Sequence, residues 1–70
     1  MEGKMIGIIK WFKKEKGYGY IIGFDDETYF FELIDCINKD ESFNKDDKVT
    51  YIPKYKGIYY ATEVEKVDNE

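Results

Sequence analysis

The sequence predicts an all-β domain, a small five-stranded antiparallel Greek-key barrel. Three observations carry this. The 70 residues break into short apolar-rich runs of strand length, separated by polar and glycine-containing turns. Seven tyrosines, five phenylalanines and one tryptophan favour strands, and they are more rings than so small a core can hide. A longer polar connection follows the third run, as a crossover to a fourth strand requires. Closure into a barrel then removes the edges that a single small sheet would expose.

Each element has its own signal. Met5 to Phe12 reads as the first strand, and Lys13-Lys14-Glu15-Lys16-Gly17 as a polar turn. Tyr18 to Gly23 is the second strand, Asp25-Asp26-Glu27 a turn, and Thr28 to Leu33 the third strand. Glu32 to Ile37 has room for one helical turn but not for a stable helix. A polar loop runs from about Asn38 to Asn44. Lys48 to Ile52 is the fourth strand, with Pro53 suited to a strand end or edge. Lys56-Gly57 turns the chain into a fifth strand, Ile58 to Val67. One domain covers residues 1–67, and Asp68-Asn69-Glu70 are expected to fray.

Alternation assigns the faces. Glu32 is not expected to be buried without a partner, so Phe30 and Glu32 form the outward pair of the third strand, and Tyr29 and Phe31 the inward pair. Ile21 points opposite to Tyr18 and Tyr20; Val49, Tyr51, Val64 and Val67 complete the expected core. Strict alternation would place Trp11 with Ile9, so an outward Trp11 requires a β-bulge or strong coiling.

The chemistry-bearing stretch is Lys16-Gly17-Tyr18-Gly19-Tyr20-Ile21. Two rings two residues apart project from one face of a strand, and the glycines leave the flanks bare. Rings on an open, solvent-facing sheet form a platform for unpaired bases, and Lys16 beside them can meet a phosphate. The same pattern serves ordinary half-buried sheet packing. Lys10-Trp11-Phe12 brings a further large ring to that surface when the two segments pair as a hairpin, and Phe30 extends it from the third strand.

Charge supports one end of the chain. The net charge is −4, but residues 1–20 hold five lysines against Glu2 and Glu15, whereas residues 21–47 hold nine acids against Lys39 and Lys45. The basic third is the aromatic third. Every basic residue is lysine, so bidentate guanidinium readout of guanine is absent, which argues against sequence-specific duplex recognition. The single cysteine, Cys36, makes no internal disulfide and supplies no zinc site. Without histidine, imidazole bases and the commonest metal ligand are missing. Cys36 lacks a base and reads as a small apolar filler; the Asp25-Asp26-Glu27 cluster reads as a solvated turn. No enzyme, metal, cofactor or small-molecule substrate is expected. No apolar run is long enough to span a bilayer, and the N-terminus lacks a signal-peptide pattern, so a cytoplasmic protein without a membrane partner is the expectation.

These motifs resemble the bacterial cold-shock domain family. Lys10-Trp11-Phe12, three spacers, then Lys16-Gly17-Tyr18-Gly19-Tyr20-Ile21 is similar to its first nucleic-acid motif, and Thr28-Tyr29-Phe30-Phe31-Glu32-Leu33 to its second. Val49-Thr50-Tyr51 and Ala61-Thr62-Glu63-Val64 resemble its last two strands. The resemblance implies an OB-fold barrel that binds single-stranded RNA and DNA as a monomer and acts as an RNA chaperone affecting transcription or translation. It implies base stacking by Trp11, Tyr18, Tyr20 and Phe30, contacts from Lys10 and Lys16, and a marginal aromatic at Phe12.

Departures fall in the second motif. Glu32 stands where the family usually has histidine, and Leu33 where it usually has phenylalanine. Stacking is worth about 1–3 kcal/mol per base, so losing two rings and gaining a carboxylate weakens binding. Thr28 replaces an acid, Lys13 an asparagine, and Phe43 aligns with a core leucine rather than with the loop aromatic. Ile58-Tyr59-Tyr60 replaces a less aromatic stretch; either a tyrosine compensates for the lost rings or both pack on the barrel. Two functions stay open: a single-stranded nucleic-acid binder, and a protein-interaction barrel that keeps the rings as a protein-binding patch.

Overall fold

A computed structural model describes residues 3–67; the expected fraying of 68–70 lies outside the described residues. Five strands are present: β1 (Met5–Lys13), β2 (Tyr18–Gly23), β3 (Thr28–Glu32), β4 (Lys48–Tyr55) and β5 (Tyr59–Lys66). They close into a barrel in the order β1-β2-β3-β5-β4. All neighbours are antiparallel except β3 and β5, which meet in parallel at Phe30 and Tyr60. The expected all-β barrel is the observed one.

Strand boundaries differ in instructive places. β3 ends at Glu32 and the chain turns at once into a single 3-10 turn, Leu33–Asp35. Here the Asp35 carboxylate accepts the Glu32 amide hydrogen at 3.3 Å, and the Gly17 carbonyl accepts that of Leu33 at 2.8 Å. β4 runs through Pro53 to Tyr55 instead of stopping near Ile52. Its pairing with β1 covers Lys48–Tyr51, so at Pro53 the described ladder partner is β5 alone. A residue without an N–H is tolerated on such an open side. β5 is shorter at both ends than expected; Ile58 sits exposed in the turn.

The core holds Ile9, Ile21, Tyr29, Phe31, Cys36, Phe43, Val49, Tyr51, Ala61 and Val64. Alternation placed Ile21, Tyr29, Phe31, Val49, Tyr51 and Val64 correctly. Val67 is only half-buried, because it lies beyond β5 at the barrel rim, where its amide reaches the Lys48 carbonyl at 2.9 Å. Phe43 enters from the long loop and meets Phe31 edge-on at 5.5 Å. That loop is held to β5 by Lys66, whose Nζ lies 3.4 Å from both Glu41 and Asp47 and donates to the Ser42 carbonyl at 2.7 Å. Among the described residues, no helix is long and apolar enough to cross a membrane.

Candidate nucleic-acid interface

The site is created by one irregularity in β1. Ile9 pairs with Ile21, but Trp11 pairs with Tyr20. Two steps on β1 thus match one on β2, and Lys10 is the extra residue of a β-bulge. Ile9 stays in the core while Trp11 moves to the outer face. The bulge also explains Gly19, which is buried rather than bare on its inner side. A Cβ there would run into the Trp11 carbonyl and lie 2.9 Å from Phe12 Cα. Gly17 serves the hairpin turn, where its φ of 73° favours a residue without a side chain.

With that register, Trp11, Tyr20 and Phe30 form a row across β1, β2 and β3. Tyr18 lies in the next row, flanked by Lys13 on β1 and Glu32 on β3. The four rings make a continuous set. Trp11 meets Tyr18 at 5.5 Å and Tyr20 at 5.2 Å, both edge-on. Phe30 meets Tyr18 at 5.7 Å and Tyr20 at 5.5 Å. All four are half-buried, so each is anchored by its neighbours and still presents surface to solvent. Edge-on pairs at such distances are favourable in themselves.

Cations border the rings. Lys13 Nζ stands 5.8 Å from the centre of the Trp11 ring, within cation–π range. Lys10, on the bulge, and Lys16, in the hairpin turn, are exposed. Opposite them Glu32 is exposed beside Tyr18, the carboxylate that shares the ladder rows of the rings.

Two expected site residues go elsewhere. Phe12 follows Trp11, and once alternation resumes after the bulge it must point inward. Its ring stacks on Phe31 at 5.7 Å and meets Phe43 at 5.2 Å. Leu33 has already left the strand and packs against the core cluster. Neither joins the four rings. Lys10, Trp11, Lys16, Tyr18, Tyr20, Phe30 and Glu32 lie on or beside one surface. Lys13 joins them through its contact with the Trp11 ring; its position two residues beyond an outward Trp11 is the sequence signal.

Tyr29 and Cys36 lie in the core, away from these rings, and Asp25 is tied to Tyr29. The Tyr29 hydroxyl donates to Asp25 at 2.6 Å, which holds the Asp25 carboxyl below its usual range; burial, and then that same bond, holds the Tyr29 phenol above its own. Burial, then the nearby Asp35, pushes the Cys36 thiol up to about 12. Cys36 is thus a buried, protonated thiol within the core.

No family model matches the chain. Among solved structures it is similar to Drosophila Unr CSD456, at a TM-score of 0.81 and 16% identity, over 96% of this chain and 28% of that one. The chain therefore spans little more than a quarter of the length of that structure. The likeness establishes the architecture: this is a five-stranded closed barrel with the cold-shock, OB-type fold.

Proposed function

We propose that this barrel binds single-stranded nucleic acid, RNA or DNA, by stacking unpaired bases on its outer aromatic face. The observation that carries the reading is the continuous set of Trp11, Tyr18, Tyr20 and Phe30, half-exposed on one surface with lysines at its edge. Every base has a π-face, so recognition is tolerant of sequence. Capture of transiently open segments shifts a folded RNA toward unpaired states, because the barrel binds one state and not the other. That is a passive chaperone activity, needing no nucleotide hydrolysis, through which the protein influences transcription or translation.

Glu32 favours a second reading. Its carboxylate beside Tyr18 repels phosphate, and a half-exposed aromatic patch also suits a protein groove.

Trp11 is the only tryptophan and lies in the platform, so its fluorescence is the assay. OB-type sites take about 4–16 nucleotides, so heptamers of thymidine and of uridine are titrated at low and moderate salt. Saturable quenching is expected, weakening with salt by a log–log slope of roughly −1.5 to −2 for two or three lysine contacts. A folded protein that shows no quenching at low salt would leave the protein-interaction reading in its place.

A further inference from the structure

The outer face carries one more ring than the two motifs account for. Tyr60 lies on β5 and pairs in register with Phe30 across the parallel β3–β5 seam. Laddered partners share a face. Its chain neighbours confirm the parity: Tyr59 meets the core residue Tyr29 at 5.5 Å, and Ala61 is fully buried. Tyr60 itself is half-buried and stands outside the core cluster. The row of rings therefore continues Trp11, Tyr20, Phe30, Tyr60 over four adjacent strands. At about 4.8 Å per strand the row spans roughly 14 Å.

The other direction is closed. The row through Lys13 and Tyr18 ends at Glu32, an exposed carboxylate, and the next residue, Leu33, turns into the core. A strand following β3 toward the 3-10 turn would meet an anion and lose its rings. A strand crossing to β5 meets another ring.

We propose that Tyr60 is a fifth base-stacking ring, and that a bound single strand crosses the sheet from Trp11 to Tyr60 instead of running along β3 past Glu32. This inference rests on the nucleic-acid reading above. It commits the ligand to an unpaired polynucleotide long enough to span the row, since a base pair cannot offer its face to each ring in turn.

The test is Trp11 fluorescence with a thymidine heptamer, on wild type, Tyr60→Val, Tyr60→Phe and Phe30→Val. Trp11 is at the far end of the row, so the signal survives each change, and valine is well accepted in strands. Tyr60→Val is expected to raise Kd by about 5- to 150-fold, the equivalent of one lost stack, while Tyr60→Phe stays near wild type. If Tyr60→Val binds like wild type while Phe30→Val weakens, the path to β5 is wrong and the stacking platform stands. If wild type itself fails to bind, both readings fall. Should Tyr60→Val not fold, the ring proton resonances of Tyr60 in the wild-type protein decide. An upfield shift on saturation with the heptamer supports stacking, and unmoved resonances overturn it.

Discussion

The two faces of β1, β2 and β3 are built from the same residue types and do different work. Tyr18, Tyr20 and Phe30 lie outside, half-exposed, with Phe30 tilted against Tyr18 and edge-on to Tyr20. Tyr29 and Phe31 lie inside, buried among aliphatic and aromatic neighbours. Inside, each hydroxyl is a liability that needs a partner: Tyr29 has Asp25, whereas the buried Tyr51 hydroxyl has none among the described residues. Outside, a hydroxyl rests in water at no cost. Strand parity, rather than residue type, therefore decides whether a ring supports the core or is left half-exposed on the outer face.

That contrast is sharpest in a pair of changes one residue apart. Phe31→Ala is expected to cost about 3–5 kcal/mol, enough to unfold much of a domain this small. Phe30→Ala is expected to leave a folded protein with Kd for a thymidine heptamer raised about 5- to 150-fold. Urea unfolding and the Trp11 titration read the two effects separately. Comparable stability losses with unchanged binding for Phe30→Ala would erase the distinction between the faces.

Tyr51→Phe sharpens the inner side. It removes a buried hydroxyl without a partner and is expected to stabilise by about 1 kcal/mol, raising the thermal midpoint by roughly 4–8 °C, with no change in binding. A lower midpoint would reveal an undetected partner for that oxygen.

Tyr29→Phe should act oppositely, and with a pH signature. Asp25 has a depressed carboxyl in the folded state because Tyr29 donates to it. Its contribution is thus complete above the unfolded value of about 3.9 and is lost as pH falls through the lower folded value. Wild type should exceed Tyr29→Phe in stability at neutral pH, and the gap should narrow in acid. A gap independent of pH would detach Asp25 from the effect. Least of all, Glu32→Gln should change stability by less than about 0.5 kcal/mol, since the side chain is exposed and glutamine keeps an oxygen acceptor at the cap of the 3-10 turn, and should tighten oligonucleotide binding slightly. Weaker binding would mean that the carboxylate itself holds the ligand.

Much of this was legible beforehand, for local reasons. Tyr18, Tyr20 and Phe30 follow from alternation within single strands, and Glu32 fixes the parity of β3 because a lone carboxylate avoids the core. The need for a bulge before Trp11 was also visible, since Ile9 and Trp11 cannot otherwise face opposite ways. What the bulge does afterwards was harder to read. Phe12 must turn inward once Trp11 is out, and its three-ring contact with Phe31 and Phe43 depends on where a distant loop returns. Tyr60 faces the same obstacle: its register with Phe30 is set by barrel closure between strands far apart in the chain. Pro53 shows the converse limit, because whether a missing N–H stops a strand depends on whether a neighbour needs it.

Lys10 can be regarded as a punctuation mark in the chain. Removing that single residue would take out the bulge and let Ile9 and Trp11 alternate, inside and outside, as direct neighbours. A regular ladder that kept Lys10 would instead send Trp11 into the interior and Phe12 toward solvent. The outer aromatic surface thus depends on the ladder absorbing one extra residue, and the side chain of that residue does not set the parity.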